Sequence, residues 1–266
     1  MKVLRTVPEW RAYRRSLDAR GPGSPGGGVG FVPTMGALHP GHRSLLERSR
    51  RENALSFLSI FVNPTQFNDP SDLTNYPRTW EGDLELARAC GVDAVLAPDF
   101  SEMYPDEYRY KLGEAQLSTR FCGAHRPGHF DGVLTVVMKL LQLARADRAY
   151  FGEKDYQQYL LVRDMAQAFF LDVEVVPCPI VRDPDGLALS SRNVRLSAAE
   201  RERGVRFPQV LATAASPEEA RALLECEGFE VDYVEELQGR RLGAIRLGAV
   251  RLIDNFPVPS SAISAR

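Results

Sequence analysis

At 266 residues the chain can bury a sizeable core, as one large domain or two. With 44% hydrophobic and 26% charged residues it has an ordinary soluble composition, and a net charge of −2 gives no general electrostatic case for nucleic acid or an anionic membrane. ALSFLSIFV is too short to span a bilayer, MKVLRTVPEWRAYRR is too charged for a signal peptide, and four unpaired-looking cysteines favour reduced thiols and the cytoplasm.

In chain order, TVPEWRAYRRSLDAR predicts an amphipathic helix and GPGSPGGG a break. VGFVP reads as a short buried strand, HRSLLERSRREN as a helix and LSFLSIFV as a second strand. TWEGDLELARACG is helical and closes on Gly91, a C-cap glycine. DAVLAP is a strand, FDGVLTVVMKLLQLARA a helix, RAYFG a strand, KDYQQYLLVRDMAQAFF a helix and VEVVPCP a strand. Helices alternating with strands that are apolar throughout predict the α/β class, a parallel sheet covered on both faces. Beyond Pro179 the pattern changes: SPEEARALLECEG is helical, while FEVDYVEEL, RLGAIRL and VRLID read as strands. A boundary near residues 177 to 183 therefore divides a domain of residues 1–178 from a smaller α+β one of residues 179–266.

GPGSPGGGVG is not a dinucleotide fingerprint, because its glycines precede the strand instead of leading from it into a helix. FVPTMGALHPGH, residues 31–42, says more. The strand ends, Thr34-Met35-Gly36 turns the chain, and a helix starts near Pro40-Gly41-His42. In a parallel sheet this is the carboxyl end of a strand, where ligands bind. Gly36 and Gly41 let a ligand approach the backbone, and the helix N-terminus suits phosphate. His39 and His42 can face one bound group; equally, one can cap the helix while the other lies on the surface, or the pair can ligate a metal. The other two histidines, His125 and His129, form with Cys122 a Cys-x2-His-x3-His spacing loosely compatible with zinc. His129 also precedes an apolar helix and is expected to shape its start. Lysine occurs only at 2, 111, 139 and 154 in a chain with 33 Lys+Arg, so a lysine kept at a strand-to-helix junction, Lys154, stands out.

Seven segments, PTMGALHPGH, SIFVNPTQF, YPRT, RPGHFDGV, YFGEKDYQQ, DGLALSSRN and RLIDN, resemble the pantoate–β-alanine ligase family, within the nucleotidylyltransferases that carry a HIGH-type motif. They follow the family's order over nearly the whole chain. The resemblance implies a Rossmann-like ATP- and pantoate-binding domain and a C-terminal lid domain, here shortened between SPEEARALLECEG and RLIDN. It implies ATP-dependent condensation of pantoate with β-alanine through an enzyme-bound pantoyl adenylate, in a cytoplasmic homodimer. Mg2+ would arrive with ATP, and no dedicated metal site is expected.

The resemblance also implies site residues. Met35, Gly36, Ala37, Leu38, His39, Pro40, Gly41 and His42 would line ATP, with His39, His42 and Lys154 catalytic and His42 the proton donor to the departing phosphate. Gly152, Glu153, Lys154 and Asp155 would hold the nucleotide from a second strand end. Val181, Leu189, Ser190, Ser191 and Arg192 would do so from a mobile loop hinged at Gly186. Gln66 and Gln158 would bind pantoate, Gln66 also β-alanine, and Arg126 would lie near β-alanine. Val133, Val136 and Leu140 share a helical face; they are core by default and would wall the gem-dimethyl group. Thr65 and Leu189 stand where the family commonly has methionine. Three other readings are a zinc hydrolase, a nucleotide-binding module without catalysis, and a different adenylate-forming ligase or nucleotidylyltransferase; the paired glutamines disfavour the last.

Overall fold

A computed structural model describes residues 1–18 and 27–258; residues 21–26 of the glycine-rich break lie outside the described residues. The chain divides into two compact units, Met1–Glu153 with Gln157–Cys178, and Lys154–Tyr156 with Pro179–Arg266.

The first unit runs β1 (Lys2–Leu4), α1 (Val7–Asp18), β2 (Val29–Thr34), α2 (Pro40–Glu52), β3 (Leu55–Ile60), α3 (Pro70–Thr74), α4 (Trp80–Ala89) and β4 (Ala94–Leu96). It continues with α5 (Phe100–Met103), α6 (Cys122–His125), α7 (His129–Ala144), β5 (Arg148–Gly152), α8 (Tyr156–Ala168) and β6 (Glu174–Cys178). The strands form one parallel sheet in the order β1-β4-β3-β2-β5-β6. They are apolar because helices cover both faces: Phe31, Val32, Phe57, Leu58, Val95 and Tyr150 are wholly buried. Leu45 and Leu46 of α2 and Leu84 and Ala87 of α4 pack into one core cluster with Val32, Leu58 and Val95. Trp10 of α1 meets Phe57 edge-on and donates to Leu143 O of α7 at 2.7 Å.

One local feature follows from the sequence and two differ from it. After α4, Gly91 takes the left-handed conformation (φ +72), as a C-cap glycine should. α7 begins at His129 itself, one residue earlier than the apolar spacing suggests, behind a left-handed Gly128 (φ +76). Lys154 lies not in α8 but in a short 3₁₀ turn, Glu153–Asp155, that leads into it.

The sheet order fixes where ligands can bind. From β2 the chain moves outward through β3 and β4; β5 and β6 extend from the other side of β2. The crevice at the carboxyl ends of β2 and β5 is the topological switch point.

In the second unit, α9 (Ala198–Gly204), α10 (Arg206–Thr213) and α11 (Pro217–Cys226) precede an antiparallel sheet of β7 (Glu230–Leu237), β8 (Arg240–Leu247) and β9 (Val250–Pro257). Phe207 and Leu211 of α10 and Leu224 of α11 bury against Val231, Ile245 and Leu252 of the sheet. β9 runs three residues past VRLID.

Candidate active site

The loop after β2 is built from both ends. Thr34 Oγ1 donates to Ser59 O (2.7 Å) and accepts from Gly36 N (3.1 Å). Gly36 (φ +78) and Ala37 (φ +49) are left-handed, and a Cβ on Gly36 would lie 2.9 Å from Asp83 Oδ2, so glycine is required twice over. Asp83 of α4, only 2% exposed, accepts from Ala37 N (3.0 Å), Leu38 N (2.8 Å) and Thr79 Oγ1 (2.9 Å). A carboxylate thus holds two N–H groups of the loop after β2, and Thr79 of YPRT holds the carboxylate. The sequence signal was there to read: Asp83 shares the helical stripe of Trp80, Leu84 and Ala87. Asp83→Ala strands those N–H groups and should destabilise the fold by about 1–3 kcal/mol. Urea melts check it; a parent-like midpoint would mean the loop holds without Asp83.

His39 and His42 form a reciprocal cap on α2. His39 Nδ1 accepts from Gly41 N (3.2 Å), and His42 Nδ1 accepts from His39 N (3.3 Å). The rings lie 4.1 Å apart, tilted 46°. A backbone N–H can only donate, so Nδ1 of each ring is unprotonated and the neutral ring carries its proton on Nε2. The capping and phosphate-facing readings of the pair are therefore compatible, because they use opposite nitrogens.

A buried polar network follows β3. Asn63, 1% exposed, donates to Gln66 Oε1 (3.0 Å) and Gly132 O (3.2 Å), and accepts from Thr65 Oγ1 (3.0 Å) and Tyr104 OH (3.0 Å). Burial pushes the Tyr104 phenol up to about 12, so it remains a donor at neutral pH. With Oε1 bonded to Asn63, Gln66 offers a ligand its Nε2–H donors. Thr65, where methionine was the usual residue, contributes a hydroxyl to this network. Gly132 lets α7 touch it: a Cβ there would lie 2.5 Å from Thr65 O and 2.8 Å from Gln66 N, backbone atoms that cannot step aside.

His129, buried at the start of α7, supports the same turn. Its Nδ1 lies 2.8 Å from Gln66 O and its Nε2 3.0 Å from Arg126 Nη1. A carbonyl only accepts and a guanidinium only donates, so the ring is neutral with its proton on Nδ1. Arg126 Nη2 also donates to Gln66 O (3.1 Å). Arg126 and His129 thus both brace the Gln66 backbone, and both His129 nitrogens are engaged in that way rather than turned to a metal. Among the described residues no group of three His, Cys, Asp or Glu could hold a metal ion. His129→Ala should cost about 1–2 kcal/mol through two lost buried hydrogen bonds, with activity falling mainly as a consequence. If thermal melts match the parent while initial rates vanish, His129 belongs to the chemistry instead.

The remaining residues fall as follows. β5 ends at Gly152, with Glu153 next. Val133, Val136 and Leu140 are 2%, 5% and 4% exposed on the inner face of α7, and Gln158 is half-buried on α8. Its neighbour Gln157 is fully engaged, accepting from Cys122 N (3.0 Å) and donating to Leu117 O and Arg120 O (both 2.8 Å). Within the first unit, then, residues 35–42, Gln66 and Gly152–Glu153 lie at the carboxyl ends of three adjoining strands. In the second unit Lys154 Nζ stands 3.7 Å from Asp155 Oδ2. There the 181–192 loop closes on itself: Leu189 N donates to Val181 O (3.0 Å), Arg192 N to Ser190 Oγ (3.2 Å), and Asn193 Nδ2 to Ala188 O (3.0 Å).

Residues 2–257 match the family model described as pantoate-beta-alanine ligase. The chain is 52% identical to the pantothenate synthetase of Bdellovibrio bacteriovorus, covering 97% of this chain and 99% of that protein. It is 48% identical to that of Coxiella burnetii, covering 96% of each. Among solved structures, pantothenate synthetase from Thermus thermophilus superposes with a TM-score of 0.86 at 41% identity, over 97% of this chain and 100% of that one. Pantoate-beta-alanine ligase from Francisella tularensis, solved with beta-gamma ATP and beta-alanine, gives 0.89 at 37% identity over 97% of each. These relatives are covered almost end to end. With the family model spanning nearly all of the sequence and full-length relatives at about half identity, the chain belongs to the pantoate-beta-alanine ligase family.

Proposed function

We propose that this ligase activates pantoate as its adenylate at the carboxyl ends of β2, β3 and β5, then passes the acyl group to β-alanine. As a member of its family it condenses pantoate with β-alanine using ATP. In the first step a pantoate carboxylate oxygen attacks the α-phosphorus of ATP, and the bond to the departing pyrophosphate breaks. In the second, the β-alanine amine attacks the acyl carbon, AMP leaves, and the amine loses a proton. Both steps build negative charge on phosphate oxygens, so positioned donors and cations matter most.

The observation that carries the reading is the histidine pair. Its mutual cap puts two Nε2–H donors beside a helix N-terminus at the sheet's switch point, a place suited to a polyphosphate. His39 and His42 donate to the triphosphate, His42 to the departing group. Lys154 adds a compact charge, Ser190 and Ser191 add hydroxyls, and Arg192 adds a fork for pyrophosphate. Met35 to Leu38, Pro40, Gly41, Gly152, Glu153, Asp155, Val181 and Leu189 frame the nucleotide. Gln66 and Gln158 bind pantoate, Gln66 also β-alanine, and the face of α7 at Val133, Val136 and Leu140 backs the branched methyls. Mg2+ would arrive bound to ATP and would neutralise charge on the phosphate oxygens.

Omitting each substrate in turn tests this. Pyrophosphate should appear in a single burst with ATP and pantoate alone, and AMP should be released only when β-alanine is added. Pyrophosphate formed without pantoate would rule out the adenylate. A cytoplasmic homodimer completes the proposal. No helix among the described residues is long and apolar enough to cross a membrane, and sedimentation of the purified chain reads its oligomeric state.

A further inference from the structure

RLIDN has no part in the chemistry above, yet its last two residues are almost fully buried: Asp254 is 3% and Asn255 2% exposed. Both lie on β9, where successive side chains point to opposite faces. On one face, Asp254 forms a fork-to-fork pair with Arg182, Nη1 to Oδ2 at 2.6 Å and Nη2 to Oδ1 at 2.9 Å. Arg182 Nη1 also donates to Gly186 O (3.0 Å), and the guanidinium lies 4.2 Å over the Phe256 ring. Arg182 bridges Ala188 across the loop, so this pair anchors the base of the 186–192 segment.

On the other face, Asn255 Nδ2 donates to the main-chain oxygen of Lys154 at 3.1 Å. Its Oδ1 accepts from Arg240 Nε at 2.7 Å, and Arg240 in turn lies 4.8 Å over the Tyr156 ring. Lys154–Tyr156 therefore belongs by contact to the second unit, although it follows β5 in sequence. A buried asparagine is costly unless both ends of its amide are satisfied, and here one end is spent on the backbone of the residue whose charge the reaction needs.

We infer that Asn255 is a positioning residue for Lys154, and that β9 sets in register two phosphate-binding segments, the Lys154 turn through Asn255 and the 186–192 loop through Asp254. The inference rests on the reading of Lys154 as a cation that touches phosphate. Side-chain placement depends on where the main chain starts, and a shift of about 1 Å can cost up to 10²-fold in rate.

The test is the pyrophosphate burst at saturating ATP and pantoate, with pantoate KM and thermal melts, for the full chain carrying Asn255→Ala, Asn255→Asp, Lys154→Ala, and Lys154→Ala with Asn255→Ala. Asn255→Ala should slow the burst about 10-fold while pantoate KM stays within about twofold. In the Lys154→Ala background it should cost nothing further, because its effect passes through the missing ammonium. Asn255→Asp keeps the shape and the Arg240 contact but loses the donor to Lys154 O. Arg240 offsets the new carboxylate, so the variant should stay folded with a melt below the parent's, and it should be at least as slow as Asn255→Ala, so it carries the test if the alanine variant does not fold. Additive losses in the double variant, or a parent-like burst in Asn255→Asp, would overturn the inference alone. A parent-like burst in Lys154→Ala would overturn it together with the reading beneath it, and that single variant tells the two failures apart.

Discussion

Lys154→Ala should lose adenylate formation by on the order of 10²-fold or more, the scale expected for removing a preorganised charge contact, while melting like the parent. The stability half follows from the surroundings. The ammonium lies 3.7 Å from the half-exposed Asp155 carboxylate, a type of pair worth about 0–1 kcal/mol, and the residue sits in a 3₁₀ turn outside both hydrophobic clusters. The other three lysines are used differently. Lys2 stands over Tyr13, Lys111 over Tyr108 and Lys139 over Tyr104, where Lys139 also donates to Met103 O and Asp106. Those are packing roles that an arginine could share. Lys154→Arg should accordingly recover only part of the rate, since a planar fork does not replace a compact charge. Near-normal pyrophosphate release from Lys154→Ala would refute the assignment.

Local pattern made the first unit readable. Its central strands are short, largely apolar runs bounded by turns, and its longer helices carry clear stripes, so alternation alone points to a parallel sheet. β1 is different: three partly exposed residues, Lys2–Leu4, pair with β4 and give no periodicity to detect. α9 and α10 are hidden by charge and by Pro208, which falls in the first turn of α10, where proline's missing N–H costs little. In the site, residues that share one contiguous motif could be grouped in advance. The partners that shape them could not, because they come from distant sequence. Asp83 reaches the Ala37–Leu38 backbone across 45 residues, and Asn255 reaches Lys154 across 101. Asn63 lies inside SIFVNPTQF, but its role depends on α7 bringing Gly132 O and on Tyr104 at the end of α5. Polarity at a buried position is the trace such residues leave in a sequence, as Asp83 does in the apolar stripe of Trp80, Leu84 and Ala87.

The histidine pair permits a sharper separation of shape from chemistry. His42 does two jobs with two nitrogens: Nδ1 accepts from His39 N to close the cap of α2, and Nε2 carries the proton proposed to meet the departing phosphate. The substitutions should divide accordingly. In His42→Asn the side-chain oxygen can stand where Nδ1 stood, so the cap survives while the distal donor is gone. That variant should melt within about 0.5 kcal/mol of the parent, the small end of capping effects, yet lose on the order of 10²-fold in pyrophosphate release. His42→Gln has the reach of the ring to the Nε2 position, with an amide donor there, and a glutamine at this third helical position can also fold back to accept from His39 N. It should melt within about 0.5 kcal/mol of the parent as well, and retain more activity than His42→Asn. Melting curves and burst rates for the two variants check this: two parent-like melts beside two different rates. If His42→Asn is the more active of the pair, the ring serves the helix and not the triphosphate, and the proton-donor role passes to His39, whose Nδ1 is likewise committed to the cap through Gly41 N.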